Sequence, residues 1–311
     1  MNYRILLVGL GQLGSRYLQG IEQYRSLIGE LVILEPLDKA YEQGISLLSP
    51  SNVIQGDWIS RQGINNLKGE FDLAIIATPS SPRPKIVAQI IRRVNVRSWI
   101  LEKVLGTSLQ AIRKLCSDIG STPAWVNTPR RLTSLYNSIK TKLPQDAIEF
   151  TVRSRSFALG CNSIHFIDTV EWLTNEPLVS IEIEALSDWY DSKRSGYKEF
   201  DGRLVALYAS GSRLVIDNIC DGLDEGIDLL AKGRHLTIDE TRGFFEFGKL
   251  VPGRVEYQSE LSGRLVQYIL KRGECSLPTL NESARQHRSF LGALNRSPRL
   301  MSHGKGSLPI T

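Results

Sequence analysis

Along the first third of the chain, apolar residues gather into short continuous runs separated by segments with helical spacing. Tyr3 to Val8 (YRILLV), Leu31 to Leu34 and Phe71 to Ala77 are such runs. A nearly continuous apolar strand suits a parallel sheet covered on both faces. Strands are expected over 3–8, 30–34, 71–77, 97–102 and 123–127, with helices over 12–27, 37–48, 82–93 and 108–119. Alternating strand and helix implies a doubly wound parallel sheet. After about residue 127 the pattern changes. Ile148 to Phe157 alternates like a half-buried strand, and strand-like runs recur over 178–187, 199–209, 212–219, 226–231, 234–239, 243–247 and 254–260. Helices fit 131–142, 162–173, 261–272 and 279–294. The fold class is α/β followed by α+β, with domains over 1–127 and 128–311 and an antiparallel or mixed sheet in the second.

The junction between the first strand and the first helix changes the picture most. Gly9-Leu10-Gly11-Gln12-Leu13-Gly14 follows the strand at once, and Leu13, Tyr17, Leu18 and Ile21 form one helix face. Glu35 ends the second strand, 21 residues after Gly14. This is the dinucleotide-binding fingerprint in its full context. Gly9 permits the tight turn, Gly11 lets a pyrophosphate approach the backbone, and Gly14 lets helix and strand pack closely. The helix start at Gln12 and Leu13 offers free N–H groups and a partial positive charge. Glu35 stands where a carboxylate binds a ribose 2′-hydroxyl and repels a 2′-phosphate. The expected cofactor is NAD, with Arg16 and Lys39 near enough in sequence to leave NADP open.

Composition narrows the class further. The 311 residues suit about two domains, and 41% hydrophobic with 23% charged residues is ordinary for a globular enzyme. No apolar run approaches the ~20 residues that span a bilayer, and the first apolar run lacks a small-residue cleavage site. A cytoplasmic protein that binds no membrane is expected. Cys116, Cys161, Cys220 and Cys275 are scattered without a C-x-x-C pair, which points to reduced thiols. The net charge is +5, and residues 283–311 hold Arg285, Arg288, Arg296, Arg299 and Lys305 without one acid. Such a tail is a solvated basic segment or a surface that attracts an anionic substrate. It has no interleaved aromatics, so nucleic acid is not an expected partner.

Three clusters carry candidate chemistry. Thr78, Pro79, Glu102 and Lys103 follow predicted strands at their carboxyl ends, where open α/β sheets bind ligands. Lys103 there either donates to a substrate oxygen, stabilising negative charge, or is a solvated residue at a strand end. Cys161, His165 and Asp168 are spaced i, i+4, i+7 and share one helix face. His165 is suited to accept a proton from an alcohol while hydride leaves the same carbon. It could equally be a satisfied residue near a helix start capped by Asn162 or Ser163. The three are also conceivable metal ligands, but one helix face would need further ligands, and no metal is expected. Arg130 and Arg131 could hold a carboxylate or phosphate, or be one buried ion pair and one solvent-facing side chain.

The order of these pieces resembles the glucose–fructose oxidoreductase/inositol dehydrogenase/MocA family over nearly the whole chain. The matching residues are Gly9, Gly11, Gly14, Glu35, Ala77-Thr78-Pro79, Glu102-Lys103 and His165-x-x-Asp168. The resemblance implies a Rossmann domain and a C-terminal domain with a large open sheet that pairs subunits into a homodimer or homotetramer. It implies hydride transfer between nicotinamide and a sugar, cyclitol or related polyol. Lys103 corresponds to the substrate-touching lysine of a Glu-Lys-Pro motif and His165 to the acid/base histidine. Arg130, Arg131, Cys161, Asn162 and Asp168 fall where members meet substrate or cofactor. Two positions depart from the family: Val104 replaces the proline after Lys103, and Cys161 replaces an aspartate four residues before His165. The Cys-Asn-x-x-His version resembles a subgroup acting on modified sugars of surface glycans. Alternatives are an NAD-binding regulator without turnover, and an oxidation followed by elimination or epimerisation that recycles its own NAD.

Overall fold

The computed structural model describes residues 2–49, 58–144, 146–155, 157–218, 225–301 and 306–311. Cys220, Lys305 and the last residue of the strand expected over 212–219 lie outside them. In chain order the elements begin with β1 (Tyr3–Val8), α1 (Gln12–Glu22), β2 (Ile28–Leu34), α2 (Asp38–Ile45), β3 (Ile59–Arg61), β4 (Glu70–Phe71) and β5 (Leu73–Ile76). Next come α3 (Arg83–Ile91), β6 (Asn95–Val96), β7 (Trp99–Leu101), α4 (Leu109–Ile119), β8 (Ala124–Val126), α5 (Ser134–Lys142), β9 (Ile148–Arg153) and α6 (Leu159–Thr174). Strands β10 (Leu178–Ala185), β11 (Tyr190–Asp191), β12 (Lys198–Glu199), β13 (Gly202–Tyr208), β14 (Arg213–Asp217), β15 (Gly226–Ala231), β16 (Arg234–Asp239), β17 (Gly243–Glu246) and β18 (Lys249–Pro252) follow. The last elements are α7 (Gln258–Arg272) and α8 (Leu280–Arg296). Among the described residues no helix is long and apolar enough to cross a membrane.

The first compact unit comprises residues 1–106, 111–127 and 256–281. Its sheet has the order β3-β2-β1-β5-β7-β8 with every pair parallel. All residues of β5, β7 and β8 are buried, as their unbroken apolar runs require. The order runs outward from β1 in both directions, so the β1/β5 boundary is the topological switch point.

Helix α7 belongs to this unit rather than to the second, which a single cut after residue 127 does not capture. It crosses α1 where two glycines meet. A Cβ on Gly20 would stand 2.6 Å from the Gly263 nitrogen and 2.7 Å from the Ser259 oxygen. Gly20→Ala is therefore expected to lower stability by about 1–3 kcal/mol through overpacking, read from the thermal unfolding midpoint. The strand expected over 254–260 is absent. Glu260 instead accepts from the Tyr257 N–H at 2.7 Å, and the helix starts at Gln258.

The second unit comprises residues 107–110, 128–255 and 282–311. Its eight-stranded sheet is ordered β10-β13-β14-β9-β15-β16-β17-β18, mixed because β9 and β14 run parallel while the other neighbours are antiparallel. Side chains alternate: Leu204, Ala206 and Tyr208 are buried while Arg203 and Leu207 are exposed. Helix α6 covers the buried face, where the Tyr208 hydroxyl donates to the Ile167 carbonyl at 2.9 Å and the Phe150 and Phe166 rings meet at a tilt of 47° with centroids 5.8 Å apart.

Candidate functional site

In the first unit, the turn between β1 and α1 lies at the switch point. Gly9 has φ +86°, a conformation that side-chain-bearing residues rarely adopt. A Cβ there would also press on the Ala77 carbonyl at 3.1 Å. A Cβ on Gly14 would fall 1.9 Å from the Gly9 oxygen, so helix and strand require glycine there. Gly11 differs. Its φ is −65° and a Cβ would meet nothing within 4 Å. The fold does not demand glycine at that position, so the open space above it is free for a ligand. No side chain caps α1 and its first turn holds no acid, which leaves the N–H groups at Gln12 and Leu13 available to an anion.

Glu35 is buried at the end of β2, and its carboxylate ties down the turn. One oxygen accepts from the Leu10 N–H at 2.8 Å and the other from the Leu37 N–H at 2.9 Å. Each oxygen keeps a further lone pair for a ribose hydroxyl. Arg61, which sequence reasoning missed, lies beside it. Its Nε donates to the Glu35 carbonyl at 2.9 Å, Nη1 bonds Asp38 at 2.6 Å, and the guanidinium covers the Tyr41 ring. Arg16, which is exposed, instead bonds Gln19 at 2.7 Å.

Thr78 and Pro79 follow β5. The Thr78 Oγ1 is buried without a hydrogen-bond partner among the described residues, an arrangement that calls for a ligand or water. At the end of β7, Glu102 and Lys103 part company. Glu102 is buried, and its Oε1 accepts from the Tyr17 hydroxyl at 2.9 Å and from Asn127 Nδ2 at 2.6 Å. Burial pushes its carboxyl up, against the pull of Asn127, Tyr17, Arg83 and Lys103. Glu102 thus braces the loop from within, where a cofactor contact was expected. Lys103 is half-buried, and the Lys103–Val104 peptide is cis. The open space over Gly11, the uncapped helix start and the orphaned Thr78 hydroxyl together fit a dinucleotide.

The second unit supplies α6, entered through Ala158 in the left-handed conformation at φ 59°. Cys161 and His165 are half-buried, whereas Asp168 has 0% exposure. The Asp168 carboxylate accepts from Arg131 Nε at 2.9 Å, Arg131 Nη2 at 2.5 Å, the Thr128 hydroxyl at 2.7 Å and Gln286 at 3.2 Å. Burial pushes this carboxyl up while Arg131, Thr128 and Gln286 oppose the shift. Its structural task is to fasten α6 to residues 128–131 and α8. Arg130 bonds Glu240 through Nε at 2.8 Å and Nη2 at 3.1 Å and lies over the Phe166 ring at 4.0 Å. Neither arginine is solvent-facing. Both pair with carboxylates of the chain, which corrects the reading of one pair and one free side chain. Asn162 Nδ2 donates to the Phe157 carbonyl at 2.6 Å and secures the start of α6. Among the described residues no group of three His, Cys, Asp or Glu side chains could hold a metal.

No family model and no curated protein matches the sequence. Solved structures do match in fold. The Gal80p super-repressor mutant of Saccharomyces cerevisiae superposes with a TM-score of 0.70 at 13% identity, covering 97% of each chain. The UDP-N-acetylglucosamine 3-dehydrogenase GnnA of Acidithiobacillus ferrooxidans gives 0.66 at 12% identity, over 97% of this chain and 99% of that one. A myo-inositol dehydrogenase of Corynebacterium glutamicum gives 0.63 at 15% identity, over 96% and 97%. What these proteins share with the chain is the two-domain fold.

Proposed function

We propose that this chain, which has the two-domain fold of the glucose–fructose oxidoreductase/inositol dehydrogenase/MocA proteins, is an NAD(P)-dependent oxidoreductase of a sugar or sugar-derivative hydroxyl or carbonyl. The observation that carries the reading is the glycine turn at the switch point, with open space over Gly11 and, just after β5, a buried Thr78 hydroxyl that has no hydrogen-bond partner among the described residues. Gly9, Gly11, Gly14 and the helix start at Gln12 and Leu13 would hold the pyrophosphate. Glu35 would take the adenosine ribose and favour NAD over NADP. Thr78 and Pro79 would border the nicotinamide. When bound, nicotinamide supplies the acceptor or donor of hydride.

The chain's own residues would move the proton. In the oxidation direction, Lys103 Nζ donates a hydrogen bond to the substrate oxygen and stabilises the charge that develops there. The His165 imidazole accepts the hydroxyl proton as general base. In reduction it returns that proton. Arg131, held by Asp168, Arg130, held by Glu240, and Cys161 and Asn162 near the start of α6 would contribute to the substrate side. A polyol or nucleotide sugar fits this reading because two fold neighbours bear the names of dehydrogenases for such compounds; a modified sugar of a surface glycan is one such substrate. The outer face of the eight-stranded sheet, with Leu207 and Leu230 exposed, is where a second copy would pack into a dimer or tetramer.

The test is a screen of cyclitols, free sugars and nucleotide sugars for a change in NADH absorbance, with product analysis by NMR. Turnover on one class supports the reading. NADH binding without turnover or product on any class favours the regulator, a reading that the Gal80p likeness keeps in play. A changed sugar with no net NADH reveals oxidation coupled to elimination or epimerisation. Gly11→Ala supplies a further check. The fold has room for the added Cβ, so the unfolding midpoint should change little while NADH affinity falls by about tenfold or more.

A further inference from the structure

We infer that Arg83 is a positioning residue for the nicotinamide end of the crevice, acting on Thr78 through its own carbonyl and on Lys103 through the carbonyl of the next residue, Val104. The inference rests on the dinucleotide reading above. Arg83 opens α3 and is only 1% exposed. Its two terminal nitrogens serve different loops. Nη1 donates to the Val104 carbonyl and Nη2 to the Thr78 carbonyl. Strands β5 and β7 are neighbours whose last paired residues are Ile76 and Leu101. Both accepting carbonyls therefore lie beyond the ladder, where no sheet partner fixes them. One planar cation clips the two loops together just past the strand ends.

The residue type matters for this task. A guanidinium presents its donors in a rigid fork, so two carbonyls held by it are fixed in distance and direction. A lysine ammonium offers a single compact charge on a flexible stem. Burying a cation is costly unless charge and hydrogen bonds compensate it. Here the two carbonyls supply that compensation, and Glu102, the residue before Lys103, lies near enough that Arg83 opposes the upward push of burial on its carboxyl. Tyr17 and Asn127 hold Glu102 in place. The loop carrying Lys103 is thus gripped on both sides of that residue, at Glu102 by hydrogen bonds and at Val104 by Arg83. The same guanidinium fixes the turn that presents the Thr78 hydroxyl. An apolar side chain would fill the volume but would leave both carbonyls unheld.

The test compares NADH with ADP-ribose, which has the adenosine and pyrophosphate parts but no nicotinamide ring. Affinities are measured by calorimetry for the wild type, Arg83→Met and Arg83→Lys, alongside unfolding midpoints. The wild type should bind NADH more tightly than ADP-ribose. In both variants ADP-ribose affinity should stay within about twofold while NADH affinity falls about tenfold, erasing that advantage. A merely structural role would lower both affinities together, in step with the unfolding midpoint, and would overturn the inference. Unchanged affinities for both ligands would overturn it as well. Should Arg83→Met not fold, Arg83→Lys carries the same comparison, since it keeps the charge and removes the fork. A wild type that binds neither ligand refutes the dinucleotide reading itself. A wild type that binds the two equally spares the adenosine half of that reading and refutes the role of Arg83.

Discussion

His165→Ala is expected to lower turnover by about 10²–10⁴-fold, the usual worth of a general base, while NADH affinity stays within about twofold of wild type. The two readouts separate because the proposed chemistry and the proposed cofactor cradle belong to different parts of the chain. His165 lies in α6 of the second unit, and the glycine turn lies in the first. Lys103→Ala should cost about 10²–10³-fold, in line with the loss of one donor to a developing oxyanion. Steady-state kinetics on the substrate found by the screen would check both. Near-normal rates in both variants would refute the assigned roles.

Asp168→Ala is expected to destabilise the protein by about 3 kcal/mol, because it leaves the buried Arg131 guanidinium with only the half-exposed Glu282 carboxylate, 4.0 Å away, as counter-ion. The size follows from the surroundings. Asp168 is fully buried and serves three partners on two other segments, Thr128 and Arg131 before α5 and Gln286 on α8. Chemical denaturation would show the loss as a lower midpoint. Asp168→Asn should be milder in volume but should still break the ion pair, with one amide face unable to accept from Arg131. If Asp168 instead touched substrate, Asp168→Asn would raise KM with little effect on the denaturation midpoint. The two roles are therefore distinguishable with one variant and two measurements.

Much of the first unit is legible in the sequence because its signals are local. Unbroken apolar runs mark β1, β5 and β7, and a residue that must be glycine on steric grounds sits at Gly9 and again at Gly14. The side of the sheet on which Glu102 and Lys103 fall is less legible. Glu102, just past β7, turns inward to Tyr17 and Asn127, while Lys103 beside it is half-buried. Arg83 reads as an ordinary polar helix start. Only the folded loops after β5 and β7 bring their carbonyls to it. Arg61 was hidden for a similar reason, since β3 is three residues long and carries no clear apolar pattern.

Helix α7 illustrates the non-local remainder. It follows the strands of the second unit in sequence, and nothing in its periodicity says that Gly263 nests against Gly20. The ion pairs Arg131–Asp168 and Arg130–Glu240 join residues 37 and 110 apart. Adjacent arginines suggested anion binding; the fold shows that each already has an anion. Which substrate the second unit would select depends on side chains gathered from such distant segments, so spacing along the chain does not reveal it.

The central claim is that an adenine dinucleotide lies on the turn from Gly9 to Gly14. Calorimetric titration of the wild-type protein with NAD, NADH, NADP and NADPH tests it most directly. The account predicts saturable one-to-one binding of NADH or NAD with Kd in the range of about 1 μM to 1 mM, weaker binding of the phosphorylated pair because of Glu35, and binding weakened about tenfold or more in Gly11→Ala. Absence of heat and of competition with all four coenzymes would contradict it.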